Sequence, residues 1–344
     1  MVMRKKDANI WPEYPAEKWL EKLQNYREFQ VLTAGIELDI FSALEEPVSA
    51  EKLAGENGWN ERNCRLFLDA LASIGYVKKE NELYCNLLDV NDYLSRKSEL
   101  YLGDYLLFWK EVTKLDDVAE RVRKGPKKDV TYREDGSNSY DFLKMAQVAK
   151  TEMYTGRVQA FLSAMKSKFE KSVKIRTLDL GCGSGVMTAE FLRYFKNAEG
   201  WVMDQPEVTG FTADVMEEYG VANRCHILNG DFKIDPVGSD YDLVIASGIF
   251  DFVGDPAKMA KKIAKSLRPE GILYLDTHKV SDDKTQPAPC ILGWLSTHLN
   301  GLDILQTDRG IVSAVEQAGM KKCKSAPEHA FTGYIYQKMG NSER

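Results

Sequence analysis

Apolar residues recur at spacings of three and four from Glu28 to Leu44 (Phe29, Leu32, Ile36, Ile40, Leu44), which predicts one helix ending before Pro47. Ser49 is placed to cap a short helix, Glu51 to Glu56. Asn60 is placed to cap another, whose inward residues Cys64, Phe67, Leu68, Leu71 and Ile74 end at Gly75. Short strands at Tyr76–Val77 and Leu83 to Cys85 flank a charged turn, so helices lead into a hairpin, a winged-helix pattern. A long helix is expected from Ser98 to Lys124, with Leu102, Leu106, Trp109, Val112, Leu115, Val118 and Val122 inward and a stop at Gly125 and Pro126. A polar linker, Lys127 to Ser139, separates it from another, Tyr140 to Phe169, that presents Phe142, Met145, Ala149, Met153, Val158, Phe161 and Met165.

Beyond Lys174 the period changes. Ile175 to Leu180, Gly200 to Asp204, Cys225 to Leu228, Tyr241 to Ala246 and Gly271 to Thr277 are short apolar runs that read as buried parallel strands. Between them lie helical segments at Val186 to Lys196, Glu207 to Tyr219 and Pro256 to Leu267, with Asp308 to Ala318 after a long insertion. A terminal pair, Lys321 to Ser325 and Phe331 to Lys338, closes the sheet as an antiparallel hairpin. The expected fold is a doubly wound α/β domain with seven strands behind a mainly helical, winged-helix-like domain.

Length and composition fit two folded domains: 344 residues, 44% hydrophobic and 28% charged. The net charge of −6 offers no positive field to nucleic acid or anionic lipid. From Ser49 to Cys85 five basic residues face six acidic ones, and the second helix of the winged segment is neutral. A packing or dimerisation role therefore fits that segment better than DNA binding, which needs a basic face. No secretory signal is read at the N-terminus, no run reaches the roughly 18 apolar residues of a membrane span, and six scattered cysteines without CxxC read as reduced thiols, so a cytoplasmic home is expected.

The chemistry is concentrated in Thr177-Leu-Asp179-Leu-Gly181-Cys182-Gly183-Ser-Gly185, where the first strand of the second half turns into its helix. Glycines there let backbone approach a ligand, and the helix start offers N–H groups. The spacing is GxGxG rather than the GxGxxG of dinucleotide sites, and the carboxylate of Asp179 suits an ammonium, not a phosphate. Asp204 ends the next strand, where a carboxylate can hold ribose hydroxyls, and Asp231, beside Phe232, ends the third, in reach of an adenine amino group. Ser247, past the fourth strand, faces the same crevice. No metal-ligand cluster is read.

These residues resemble the class I S-adenosylmethionine-dependent methyltransferases. Together with the winged-helix-like half, Asp204-Gln205-Pro-Glu207, Gly230-Asp-Phe232 and Leu267-Arg-Pro-Glu-Gly271, the chain from Tyr26 to Lys338 is similar to the caffeate and acetylserotonin O-methyltransferase family. The resemblance implies a Rossmann-like catalytic domain (171–344), a dimerisation domain (1–97) and a helical connector (98–170) contributing to the substrate pocket. It further implies a homodimer, S-adenosylmethionine as cofactor and a small aromatic or apolar acceptor methylated at oxygen. Gly181, Gly183 and Gly185 would meet the methionine part, Asp204 the ribose, Asp231 and Phe232 the adenine, with Asp179, Cys182, Gln205 and Ser247 in the same site.

The family's base is a histidine in a His-Asp-Trp sequence, and here that place reads Phe250-Asp251-Phe252. A carboxylate with a pKa near 4 is a weak base toward a phenol near 10, so Asp251 alone is insufficient. Among the four histidines, His226 reads as a core or face residue of the third strand and His329 as solvent exposed. His278 ends the fifth strand on the substrate side, and His298 lies one turn from Trp294 in the insertion; both are candidate bases, His298 also as a substrate contact. Met153, Tyr154 and Arg157 are expected to border the acceptor, with Phe250 and Trp294 as an aromatic wall. Methylation at sulfur or carbon, which needs no strong base, stays open beside O-methylation; so does a cofactor-binding protein without catalysis, while GxGxG and Asp179 disfavour a nicotinamide oxidoreductase.

Overall fold

The structure is a computed structural model that describes residues 11, 14, 16–134, 136–323, 331 and 333–340. The chain divides into two compact units, 1–107 and 108–344. His329 and the far end of the strand expected at Lys321 to Ser325 lie outside the described residues.

The first unit opens with the helix Glu17–Glu37, followed by the single turn Ile40–Ala43. The one helix expected there is interrupted because Asp39 takes a left-handed φ of 51°. Phe41 then folds back over Gly35, where a Cβ would stand only 2.8 Å from the ring. Strand β1 (Val48–Ser49) leads into the helix Ala50–Asn57, which Ser49 caps by accepting from the Lys52 amide at 3.2 Å. Asn60 caps Glu61–Ser73 in the same way, and strands β2 (Val77–Glu80) and β3 (Leu83–Asn86) pair antiparallel, with β1 on the other side of β3. Ile36, Ile40, Phe41, Leu53, Leu68, Leu71 and Tyr84 form its core. By contrast Trp19, Leu20 and Leu23 on the first helix are 68%, 66% and 48% exposed.

The helix expected from Ser98 to Lys124 is two, Gly103–Val112 and Val118–Lys124. At the break the Thr113 hydroxyl donates to the Trp109 carbonyl at 2.6 Å, and the Asp117 carboxylate pairs with Arg121 at 2.6 Å. The next long helix is likewise divided, into Phe142–Glu152, the 3-10 turn Met153–Thr155 and Arg157–Lys166. Gly156 makes the corner at φ 138°, and a Cβ there would meet the Phe331 ring at 2.5 Å.

The second unit is built on β4 (Arg176–Leu180), β5 (Glu199–Asp204), β6 (Cys225–Asn229), β7 (Tyr241–Ser247), β8 (Leu267–Asp276), β9 (Met320–Lys322) and β10 (Tyr334–Lys338). Their order is β6-β5-β4-β7-β8-β10-β9; the first five are parallel, and β10 runs antiparallel to both neighbours. This is the expected α/β architecture with seven strands; β7 is buried from Tyr241 to Ala246 and β8 from Gly271 to Leu275. The exception is β6, expected to be buried but half exposed because it is the sheet edge; there His226 stacks on Trp201 with ring centroids 4.5 Å apart.

The chain winds outward from β4 through β5 to β6, then returns to β7 beside β4. That reversal opens a crevice above the carboxyl ends of β4 and β7, the ligand position of open α/β sheets. Register aligns its rim: Leu180 lies opposite both Met203 and Ala246, and Ser247 opposite Asp276.

Candidate active site

Gly181, Gly183 and Gly185 all have positive φ (64°, 53° and 73°), so the turn after β4 is a run of left-handed positions that side chains resist. The Gly181 and Cys182 amides donate to the Met203 carbonyl at 2.8 and 3.2 Å, tying the loop to β5. Gly183 N–H donates to Asp204 Oδ2 at 2.9 Å, and the Gln205 amide to Oδ1 at 2.8 Å. Burial raises the Asp204 pKa; the two N–H donors oppose that shift without cancelling it.

A cavity of about 370 Å³ fills the crevice. Of the residues singled out from the sequence as cofactor contacts, Gly181, Gly183, Asp204, Gln205, Asp231, Phe232 and Ser247 line it. Asp179, Cys182 and Gly185 are not in its wall. Asp179 is buried beneath the loop, where it accepts from the Thr188 hydroxyl at 2.7 Å, and burial above all pushes its pKa up to about 7. Cys182 Sγ lies 3.7 Å from the Thr212 hydroxyl, and a Cβ on Gly185 would meet the Thr212 methyl at 2.5 Å. These three shape the loop from behind.

Asp231 sits in a tight turn: its amide donates to Asp235 Oδ2 at 2.8 Å, and its Oδ1 accepts from the Lys233 amide at 2.8 Å. Lys262 Nζ donates to the carbonyls of Phe232 and Asp235 at 2.8 and 2.5 Å, fixing that turn against the helix Pro256–Ser266. At the opposite rim the Ser247 hydroxyl donates to Asp276 Oδ2 at 3.3 Å, and Arg157 bridges Asp276 (3.0 Å) and Glu152 (3.1 Å).

The aromatic wall differs from the sequence expectation. Phe250 is buried in the core beneath the sheet, whereas Phe252, at the end of the 3-10 turn Phe250–Phe252, lines the cavity with Phe142. Phe142 and Phe252 meet edge to face at 5.6 Å, and Phe252 lies 5.6 Å from Trp294, which stacks on His298 at 6.0 Å. Trp294 and His298 are therefore beside the cavity rather than in its wall. Met153 and Tyr154 pack on the sheet core, and the Tyr154 hydroxyl bonds with Glu190 at 2.7 Å and Tyr219 at 2.8 Å. Burial above all lowers the His298 pKa below the ordinary histidine value.

His278 and Asp251, assigned separately from the sequence, are joined: His278 Nδ1–H donates to Asp251 Oδ2. Burial pulls the imidazole pKa down, but the hydrogen bond and charge of Asp251, with Asp276, outweigh it and hold the value above the ordinary one.

Arg133, Ser137, Met145, Ala146, Val208, Lys233, Gly248 and Ile249 also line the cavity and were not singled out from sequence. Met145 lies on a helical stripe whose apolar positions read equally well as core. Arg133 and Ser137 belong to the segment read as a linker.

The donor set can be tested against a nucleoside carrying an amino-acid chain. Among the described residues, no atom beyond Gly183 and its chain neighbours lies within 4 Å of where a Gly183 Cβ would stand, and the position borders the cavity, so a ligand backbone can approach there. Asp204 and Asp231 on the wall have carboxylate oxygens that can accept from hydroxyl and amino groups, and Phe232 offers a ring face; the residues fit S-adenosylmethionine.

Comparison with known proteins bears on this geometry. The family profile described as a methyltransferase domain matches residues 153–322, and that of an O-methyltransferase dimerisation domain matches 20–91. The chain is 26% identical to the tetracenomycin polyketide synthesis 8-O-methyl transferase of Streptomyces glaucescens, over 78% of this chain and 80% of that protein. It is 23% identical to acetylserotonin O-methyltransferase of Mus musculus, over 95% and 90%. Among solved structures, human N-acetylserotonin methyltransferase in complex with SAM superposes with a TM-score of 0.72 at 18% identity, covering 96% of this chain and all (100%) of that one. An O-methyltransferase family protein from Burkholderia thailandensis gives 0.75 at 16% identity, with coverage of 96% and 100%.

Proposed function

The chain belongs to the methyltransferases that carry an O-methyltransferase dimerisation domain, and on that footing we propose that it moves a methyl group from S-adenosylmethionine to a hydroxyl of a small aromatic acceptor. The observation that carries this reading is the cavity at the sheet's reversal point, walled by the glycine loop and by Asp204 and Asp231. When bound, the cofactor supplies an electrophilic methyl group on a sulfonium. Gly181 and Gly183 give its amino-acid portion room. Asp204, steadied by the Gly183 and Gln205 amides, accepts from the ribose hydroxyls, while Asp231 and Phe232 hold the adenine. Ser247 and Phe252 border the reacting end.

Asp179, Cys182 and Gly185 serve by keeping the loop in shape. Trp294 and His298, with Phe252, make the apolar surround of the acceptor; Arg157 orients Asp276; Met153 and Tyr154 support the helix behind it; Phe250 backs the turn that carries Phe252. Residues 1–97 act as the dimerisation domain, 98–170 as a helical connector and 171–344 as the catalytic domain. The exposed apolar residues of Glu17–Glu37 support a homodimer. Among the described residues no helix is long and apolar enough to cross a membrane, in keeping with a cytoplasmic enzyme. The test is transfer of an isotope-labelled methyl group into a set of phenols and naphthols, with mass spectrometry locating the label. Label on oxygen supports the reading, and label only on sulfur or carbon of other acceptors refutes it.

A further inference from the structure

We infer that His278, with its Nδ1–H held by the Asp251 carboxylate, is the general base that takes the acceptor's hydroxyl proton on Nε2, a task moved from the turn after β7 to the end of β8. The inference rests on the O-methyl reading above.

Three observations carry it. Phe250 occupies the turn position where the related enzymes place a base, and its ring is buried in the core, so that turn supplies no proton acceptor of its own except Asp251. Asp251 is not in the cavity wall; it is 4% exposed, accepts from the Gln306 amide at 3.4 Å and is committed to His278. An imidazole whose Nδ1 is engaged by a buried carboxylate is fixed in the tautomer that leaves Nε2 as the basic nitrogen, and His278 Nε2 makes no hydrogen bond among the described residues. Neither His278 nor Asp251 is in the cavity wall, but both adjoin residues that are in it or that bond to it. Asp251 lies between the cavity residues Ile249 and Phe252, and His278 follows Asp276, whose backbone carbonyl accepts from Gly248 at 3.1 Å and whose carboxylate accepts from Ser247. The Trp294 ring meets His278 edge-on at 6.3 Å, closing its other side with an apolar surface.

In the step, the hydroxyl proton passes to His278 Nε2 while the oxygen's electron pair forms the bond to the methyl carbon. That attack displaces sulfur, which keeps the pair of the broken carbon–sulfur bond. The imidazolium then gives its proton to solvent from a side chain that is 38% exposed. Asp251 and Asp276 stabilise the imidazolium and Arg157 opposes them, the net effect placing its pKa above the ordinary histidine value.

The experiment compares wild type, His278→Gln and Asp251→Asn on two probe acceptors, an unactivated naphthol and a nitrophenol already ionised at the assay pH. Calorimetry with S-adenosylhomocysteine runs in parallel. His278→Gln should lower kcat for the naphthol by about 10²- to 10⁴-fold, with a much smaller loss for the nitrophenol and cofactor affinity within about twofold. Asp251→Asn should move the alkaline-rising limb of the pH–rate profile to lower pH, and the His278 imidazole resonance should titrate lower by NMR, a readout independent of turnover. Equal losses on both acceptors, or an unmoved limb and resonance, overturn the base assignment while leaving the methyltransferase reading intact. A wild type that binds S-adenosylhomocysteine yet methylates no phenol or naphthol refutes the O-methyl reading, and this assignment falls with it.

Discussion

The Gly183 amide donates to Asp204 Oδ2 at 2.9 Å, so the glycine loop after β4 and the carboxylate that ends β5 form one corner of the cavity. Gly183 holds φ 53°, and among the described residues no atom beyond its chain neighbours lies within 4 Å of a would-be Cβ. Gly183→Ala should therefore cost about 1–2 kcal/mol in backbone strain and leave the corner folded, while its methyl group stands in the space a ligand needs. The expected result is a modest fall in melting temperature with at least about a tenfold loss of S-adenosylhomocysteine affinity. Unchanged affinity would separate the glycine loop from ligand binding.

Asp179 makes a stability prediction whose sign follows from burial. Its folded-state pKa is pushed up to about 7, above the unfolded value near 4. Between those values the native state holds a proton that the unfolded chain has released, so this group's contribution to stability falls as pH rises through the window and is level beyond it. Asp179→Asn, which keeps an acceptor for Thr188, should be neutral at pH 4 and stabilising by about 2–4 kcal/mol at pH 8. Thermal unfolding at the two pH values checks it; a variant less stable at pH 8 would mean that the buried carboxylate is compensated.

Phe250 and Phe252 should separate cleanly. Phe250 is buried in the sheet core, so Phe250→Ala should lose about 3–5 kcal/mol of stability. Phe252 borders the cavity, and Phe252→Ala should lower turnover and raise the acceptor's KM with a smaller stability loss. Chemical denaturation and steady-state kinetics on both variants decide this, and a reversed pattern would misplace the aromatic wall.

For assembly, Leu20→Glu combined with Leu23→Glu places charge on the exposed apolar face of Glu17–Glu37. Sedimentation at micromolar concentration should give a dimer for wild type and a monomer for the variant. A monomeric wild type would contradict the homodimer.

The features legible in sequence are those set by local pattern. The GxGxG turn and the carboxylates at successive strand ends are fixed by where an apolar run stops, and parallel register then brings Gly183, Asp204 and Asp231 to one rim. What escaped depends on closure in three dimensions. The helix breaks at Asp39 and Gly156 go with a left-handed Asp39, which lets Phe41 fold over Gly35, and with Phe331 packed against Gly156, neither of which a periodic apolar stripe records. A 3-10 turn put Phe252 rather than Phe250 at the cavity. Arg133 and Ser137 reach the wall from a segment whose polarity alone reads as a linker. His278 and Asp251 were each visible as candidates, but their hydrogen bond joins the ends of neighbouring strands and has no sequence spacing to announce it.

The most direct test of the account is calorimetric titration of the protein with S-adenosylhomocysteine, set against NADH and against Asp204→Ala. Saturable binding of S-adenosylhomocysteine, none of NADH, and about a 10- to 100-fold loss in Asp204→Ala is the predicted result. No binding of S-adenosylhomocysteine, or equal binding to the Asp204 variant, would contradict it.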